Sequence, residues 1–149
     1  MRVLLTTDGS LGASAAARTA CRVFRAEDRQ IELLYVEPEY PPRPAGFDNG
    51  SPGRFRVPSG LADAWHILGA AGSELSALGI HAARRAEIGW PPAVIANASA
   101  DFDVTVVGSQ GQGLHSAAGL GPVANHVLHH STGSVLIGRE LRRSGGIRV

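Results

Sequence analysis

The chain has 149 residues, 44% apolar and 18% charged, a balance that fits one globular domain with a real core and excludes a disordered chain. Its net charge of +1 removes the electrostatic case for nucleic-acid binding, and no apolar run reaches the roughly 18 residues that suggest a membrane span. All 14 basic residues are arginine, so the chain lacks the amine of a Walker-type phosphate loop and of any Schiff-base mechanism.

The first strand, Val3-Leu4-Leu5-Thr6, follows Met1 so closely that no signal peptide is expected, and a cytoplasmic location is the expectation. Asp8-Gly9-Ser10 turns this strand into a helix, with Asp8 or Ser10 placed to accept from the free N–H groups at the helix start. Ala13, Ala16, Ala17, Ala20 and Phe24 follow at helical spacing, small enough to let the helix lie close to a sheet. Cys21 falls on that apolar face and reads as a small buried hydrophobe; as the single cysteine it excludes an internal disulfide. Ile31-Glu32-Leu33-Leu34-Tyr35-Val36 is the second strand.

Residues 37–58 hold six of the nine prolines and no periodic pattern, which predicts a long surface loop. Helical periodicity resumes through Leu61, Ala64, Trp65, Leu68, Ala71, Leu75 and Leu78, with Gly79 as the stop. Residues 80–88 form a weak strand. Gly89-Trp90-Pro91-Pro92 leads into a short helix carrying Val94, Ile95 and Ala98, with proline in its first turn. Val104-Thr105-Val106-Val107 is the clearest central strand, because it is β-branched throughout. A glycine-rich loop over residues 108–121 precedes a helix over about 122–130. Residues 134–138 form the last strand, and the chain from Arg142 reads as a tail. Strands alternate with helices throughout, the pattern of an α/β domain over residues 1–141 built on one open parallel sheet of five strands, with a tail at 142–149.

Ligands of such sheets sit outside the carboxyl ends of the strands, where strand order reverses. Three segments lie there: Thr6-Thr7-Asp8, Val36-Glu37 and the loop after Val107. That loop carries Gly108, Gly111, Gly113, Gly119 and Gly121 and ends at a helix start, where open N–H groups and the helix dipole favour an anion such as phosphate. Asp8 is placed to accept from ribose hydroxyls. The plainer reading gives the glycines to the turns of a connection, and the spacing is not that of a dinucleotide fingerprint.

Gly108-Ser109-Gln110-Gly111, nine further residues and then Gly121 resemble the glycine motif of the universal stress protein family. Leu4-Leu5-Thr6-Thr7-Asp8-Gly9-Ser10, Leu33-Leu34-Tyr35-Val36 and Asp103-Val104-Thr105-Val106-Val107-Gly108-Ser109 resemble that family's first, second and fourth strands. Residues 123–136 follow its last helix and strand. The resemblance implies a sheet in the order 3-2-1-4-5 with helices on both faces, and a stress-response or signalling protein that binds an adenine nucleotide, ATP with magnesium above all. It places the adenosine against Thr7, Asp8 and the Val36 backbone, and the ribose and phosphates among Val107, Gly108, Gln110, Gly111, Gly121, Pro122 and Val123. It also implies a homodimer through the last strand, residues 135–138, whose apolar edge needs covering.

One position departs from the motif. Pro122 stands where the family carries serine or threonine, and proline offers neither a hydroxyl nor an N–H to a phosphate. No constellation of base, nucleophile and metal assembles beside the loop, so a dedicated enzyme is not expected. Two alternatives follow: a slow ATP hydrolase organised by Asp8, or a nucleotide-free interaction module of the same fold. His126, His129 and His130 on the last helix, with His115 in the loop, read as a solvated face and not as metal ligands. Trp65 and Trp90 read as packing residues.

Overall fold

Leucine and valine runs that are apolar at every position need burial on both faces, and a parallel sheet between two helix layers gives them that. A computed structural model describes residues 1–24, 29–39, 61–110 and 119–139. Its strands are β1 (Arg2–Thr6), β2 (Gln30–Pro38), β3 (Ala83–Gly89), β4 (Val104–Gly108) and β5 (Ser134–Gly138). They form one five-stranded sheet in the order β3-β2-β1-β4-β5, parallel at every pairing, as expected.

Alternate residues of the strands feed two separate cores. Val3, Leu5, Leu33 and Tyr35 pack with Ala16, Ala20, Leu68 and Leu75, beneath α1 (Leu11–Val23) and α2 (Leu61–Ala77). Leu4, Leu34, Val36 and Val107 pack on the opposite face with Ile95, Phe102, Ala124 and Val127. That layer consists of α3 (Pro91–Ala98), a 3-10 turn (Ser99–Asp101) and α4 (Pro122–His130). Each fully buried leucine here contributes about 1.5–3 kcal/mol. Among the described residues, no helix is long and apolar enough to cross a membrane.

Local chemistry sets the helix ends. Ser10 is the α1 N-cap and accepts from the Ala13 N–H at 3.2 Å, while Asp8 accepts instead from the Ser10 N–H at 2.9 Å. The Arg29 guanidinium donates to the carbonyls of Cys21 and Phe24 at the far end of α1. Burial pushes the thiol of half-buried Cys21 up, against the opposing charge of Arg29, in keeping with a packing role. Gly79 takes φ +76° and ends the α2 segment, with the Ile80 N–H returning to the Leu75 carbonyl at 3.0 Å.

Three expectations are corrected. β2 runs on through Glu37 and Pro38, which the proline-rich pattern assigned to the loop, because Ile88 and Gly89 pair alongside and the Glu39 N–H reaches the Gly89 carbonyl at 3.0 Å. The rest of that loop from residue 40, and the tail at 142–149, lie outside the described residues. The weak strand is shorter than expected, because residues 80–82 precede the pairing with β2 and Ile80 is buried as a plug. Trp65 and Trp90 are not packing residues: they are 51% and 61% exposed. Trp65 follows buried Ala64, so helix geometry turns it about 100° away from the core stripe.

The closest approach in the molecule lies between β5 and α1. A Cβ at Gly138 would stand 2.2 Å from the Ala16 Cα, a backbone atom that can move only with its helix. Gly138→Ala is expected to lower unfolding stability by about 1–3 kcal/mol in urea denaturation. Adding Ala16→Gly should not restore it, since the obstructing atom remains.

Candidate functional site

The strand order reverses between β1 and β4, and the crevice outside their carboxyl ends is where the three sequence segments converge. On the β1 side the turn is fixed by its own hydrogen bonds. The Thr7 N–H donates to the Leu34 carbonyl at 3.0 Å, and the Thr6 hydroxyl to the Val106 carbonyl at 3.0 Å, so the end of β1 is tied to both neighbours. Thr7 Oγ1 accepts from the Gly9 N–H at 3.1 Å, and Gly9 adopts φ +79°, which favours glycine. Continuing the β1–β2 register sets Asp8 level with Val36, so these two expected adenosine contacts are neighbours. Val36 is buried in the core under α3, which leaves its backbone as the part that faces a ligand.

On the β4 side, Val107 is 1% exposed and anchors the strand end. Gly108 is a glycine for a reason that the loop reading did not supply: a Cβ there would stand 3.0 Å from the Ala13 N and the Gly12 carbon. A Cβ at Gly12 would in turn meet the Gln110 carbonyl oxygen at 2.7 Å. The first turn of α1 therefore lies directly against the segment holding Gly108 and Gln110, and Thr7, Asp8, Val36, Val107, Gly108 and Gln110 line one edge of the sheet. Gly12 carries no motif that marks it in the sequence; its part follows from packing alone.

The glycine-rich loop returns to its own start. Ser109 donates its N–H to the Gly138 carbonyl at 2.8 Å and accepts from the Gly121 N–H at 2.7 Å. Gly121, Pro122 and Val123 are thus held beside the end of β4. Gly111 lies outside the described residues. The Gly121 N–H, expected to face phosphate, is committed to Ser109, and Gly121 as N-cap supplies no side-chain acceptor. Pro122 is the first residue of α4 and lacks an N–H, while the Asn125 N–H closes the first turn onto the Gly121 carbonyl at 3.0 Å. The donors that helix geometry leaves open are therefore the N–H groups of Val123 and Ala124. A small anion fits two such donors at the positive end of the helix dipole.

A second cleft opens between α1 and α2, starting at Thr6 and Thr7 and lined by Ser14, Arg18, Leu33 and Glu74. Elsewhere, the histidines of α4 form a stack. His126 and His130 lie ring on ring at 4.0 Å, and Trp90 meets His126 edge-on at 5.0 Å. Partial desolvation, with repulsion from His130 and His129, holds the His126 imidazole below its ordinary range. Nδ1 of His129 and of His130 faces the carbonyl four residues back, at 2.7 and 2.9 Å. Among the described residues, no group of three or more histidine, cysteine or carboxylate side chains is placed to hold a metal ion.

Comparison with known proteins bears on the whole chain. No curated protein sequence matches it. Solved structures share its fold: the hypothetical protein MJ0577 superposes with a TM-score of 0.72 at 18% identity, covering 94% of this chain and 96% of that one. A universal stress protein in complex with cAMP gives a TM-score of 0.66 at 23% identity, over 92% and 95% of the two chains. An Arabidopsis thaliana family protein with AMP bound gives 0.66 at 17% identity, over 99% and 97%. The sequence model of the universal stress protein family matches residues 1–139, nearly the full length and every strand of the sheet. The chain belongs to the universal stress protein family.

Proposed function

We propose that this protein binds an adenine nucleotide across the β1–β4 crevice and acts as a homodimeric stress-response or signalling protein in the cytoplasm. The observation that carries the reading is the crevice itself: a turn fixed by Thr7, Asp8 and Ser10 stands opposite a β4 end whose loop is drawn back by the Ser109–Gly121 hydrogen bond onto a helix N-terminus. Related folds carrying cAMP and AMP support it. In this reading Thr7, Asp8 and the Val36 backbone hold the adenosine. Val107, Gly108, Gln110, Gly111, Gly121, Pro122 and Val123 surround the ribose and phosphates, and ATP with magnesium is the fullest ligand. No catalytic step is assigned: Asp8, the carboxylate for a slow hydrolysis, already accepts from the Ser10 N–H as part of the turn.

The phosphate end favours a second reading, a nucleotide-free interaction module. Gly121 has spent its N–H, and Pro122 brings none, so two donors remain where the motif would offer more. Each lost bond to a charged acceptor is worth about 1.5–3 kcal/mol.

The two edges of the sheet support dimerisation at β5. The β3 edge carries Arg84, Arg85 and Glu87, with Arg85 bridging to Glu32 at 3.3 Å and to Glu87, which discourages pairing. The β5 edge offers Val135, Leu136 and Ile137.

Purified protein, denatured and extracted, is expected to release adenine nucleotide, and the emptied protein to bind ATP with magnesium in calorimetry. No retained nucleotide and no binding at millimolar ATP favours the interaction module. Pro122→Ser restores a hydroxyl and an N–H and is expected to tighten ATP binding about tenfold or more; equal affinity removes Pro122 from the account. In sedimentation the full chain is expected to run as a dimer and Val135→Asp, checked as folded by circular dichroism, as a monomer.

A further inference from the structure

Glu37 is a charged residue in a place built for an apolar one. It is 4% exposed, lies in β2 between β1 and β3, and shares the α1–α2 face of the sheet with Tyr35. Its partner is the Tyr35 hydroxyl, which donates to Oε2 at 2.7 Å. No cation pairs with it among the described residues, whereas Glu32 and Glu87 nearby both pair with Arg85. A buried carboxylate has room for about four donors, and a single phenol leaves most of that capacity unused. Its other oxygen is not sealed off: among the described residues, the fully enclosed side-chain polar atom lacking a partner is Ser131 Oγ and no other. Glu37 is also the residue after Val36, one step beyond the level of Asp8 along the β1–β2 register, at the carboxyl edge of the sheet.

We infer that Glu37, oriented by Tyr35, is the residue that makes this protein specific for a base bearing an exocyclic amine. The inference rests on the nucleotide reading above and deepens it at the base end. A carboxylate accepts from an amine and repels the carbonyl oxygen that replaces it in hypoxanthine and guanine. Selection arises because the base lacking the amine leaves the carboxylate short of a donor inside the site, while the carbonyl base adds repulsion. Tyr35 is a positioning residue here: it fixes one oxygen and thereby aims the other.

The test compares AMP, purine riboside monophosphate, which lacks only the amine, and IMP, by calorimetry on the emptied full-length protein. Wild type is expected to bind AMP about tenfold tighter than purine riboside monophosphate, and IMP more weakly still. Glu37→Leu should bring AMP and purine riboside monophosphate to within about twofold. Glu37→Gln, which keeps shape and adds a donor, should narrow the gap between AMP and IMP. Tyr35→Phe should weaken the preference without abolishing AMP binding. Wild type that binds AMP and purine riboside monophosphate equally overturns this inference alone, as does an unchanged ratio in Glu37→Leu and Glu37→Gln. Wild type that binds no adenine nucleotide overturns the nucleotide reading and this inference together.

Discussion

The approach of α1 to the β4–β5 side of the sheet is the constraint on which the site depends. Gly138 lets the Ala16 backbone come down onto β5, Gly108 admits the Gly12–Ala13 turn, and Gly12 admits the Gln110 carbonyl. A side chain at any of these positions would lift the helix. The turn of Thr7, Asp8 and Ser10 would lift with it, since that turn leads directly into α1. The alanines at 13, 16 and 20 serve the same end by burying a helix face with little bulk. Packing, more than affinity for any anion, accounts for Gly108.

This contact separates two meanings of glycine in one motif. Gly108 and Gly138 are required by the helix lying over them, and they would be required without a ligand. Gly121 is an N-cap whose N–H closes the loop onto Ser109. The phosphate end therefore relies on backbone donors of the first α4 turn, and the proline at 122 narrows that set. The fold tolerates Pro122 well, because the first turn of a helix has no use for its N–H. A change that is neutral for folding thus falls entirely on ligand chemistry.

The base end has the opposite character. Asp8 and Val36 stand level across the β1–β2 ladder, and Glu37 follows with its carboxylate on Tyr35. A buried, singly partnered carboxylate costs stability wherever it sits. Its position at the sheet edge that the ligand would approach ties that cost to recognition. The histidine stack on α4 and exposed Trp90 lie apart from this chemistry as a surface feature.

The sequence alone determined the sheet, its helices and the position of the crevice, because alternation of buried strands with capped helices is a local pattern. Val104 to Val107 could be nothing but a central strand, and Gly79 and Pro91 punctuated the helices where they were expected to. The motif residues Thr7, Asp8, Gly108 and Gly121 were visible for the same reason: each sits at a local boundary between strand, turn and helix. Tertiary structure decided what those residues do with their hydrogen bonds. That Glu37 belongs to a strand depends on Ile88 and Gly89, fifty residues away. That Gly121 spends its N–H on Ser109, and that Gly12 must be glycine, depends on surfaces brought together only by folding. Periodicity records which face of an element is buried; it does not record which backbone atom of another element lies against that face.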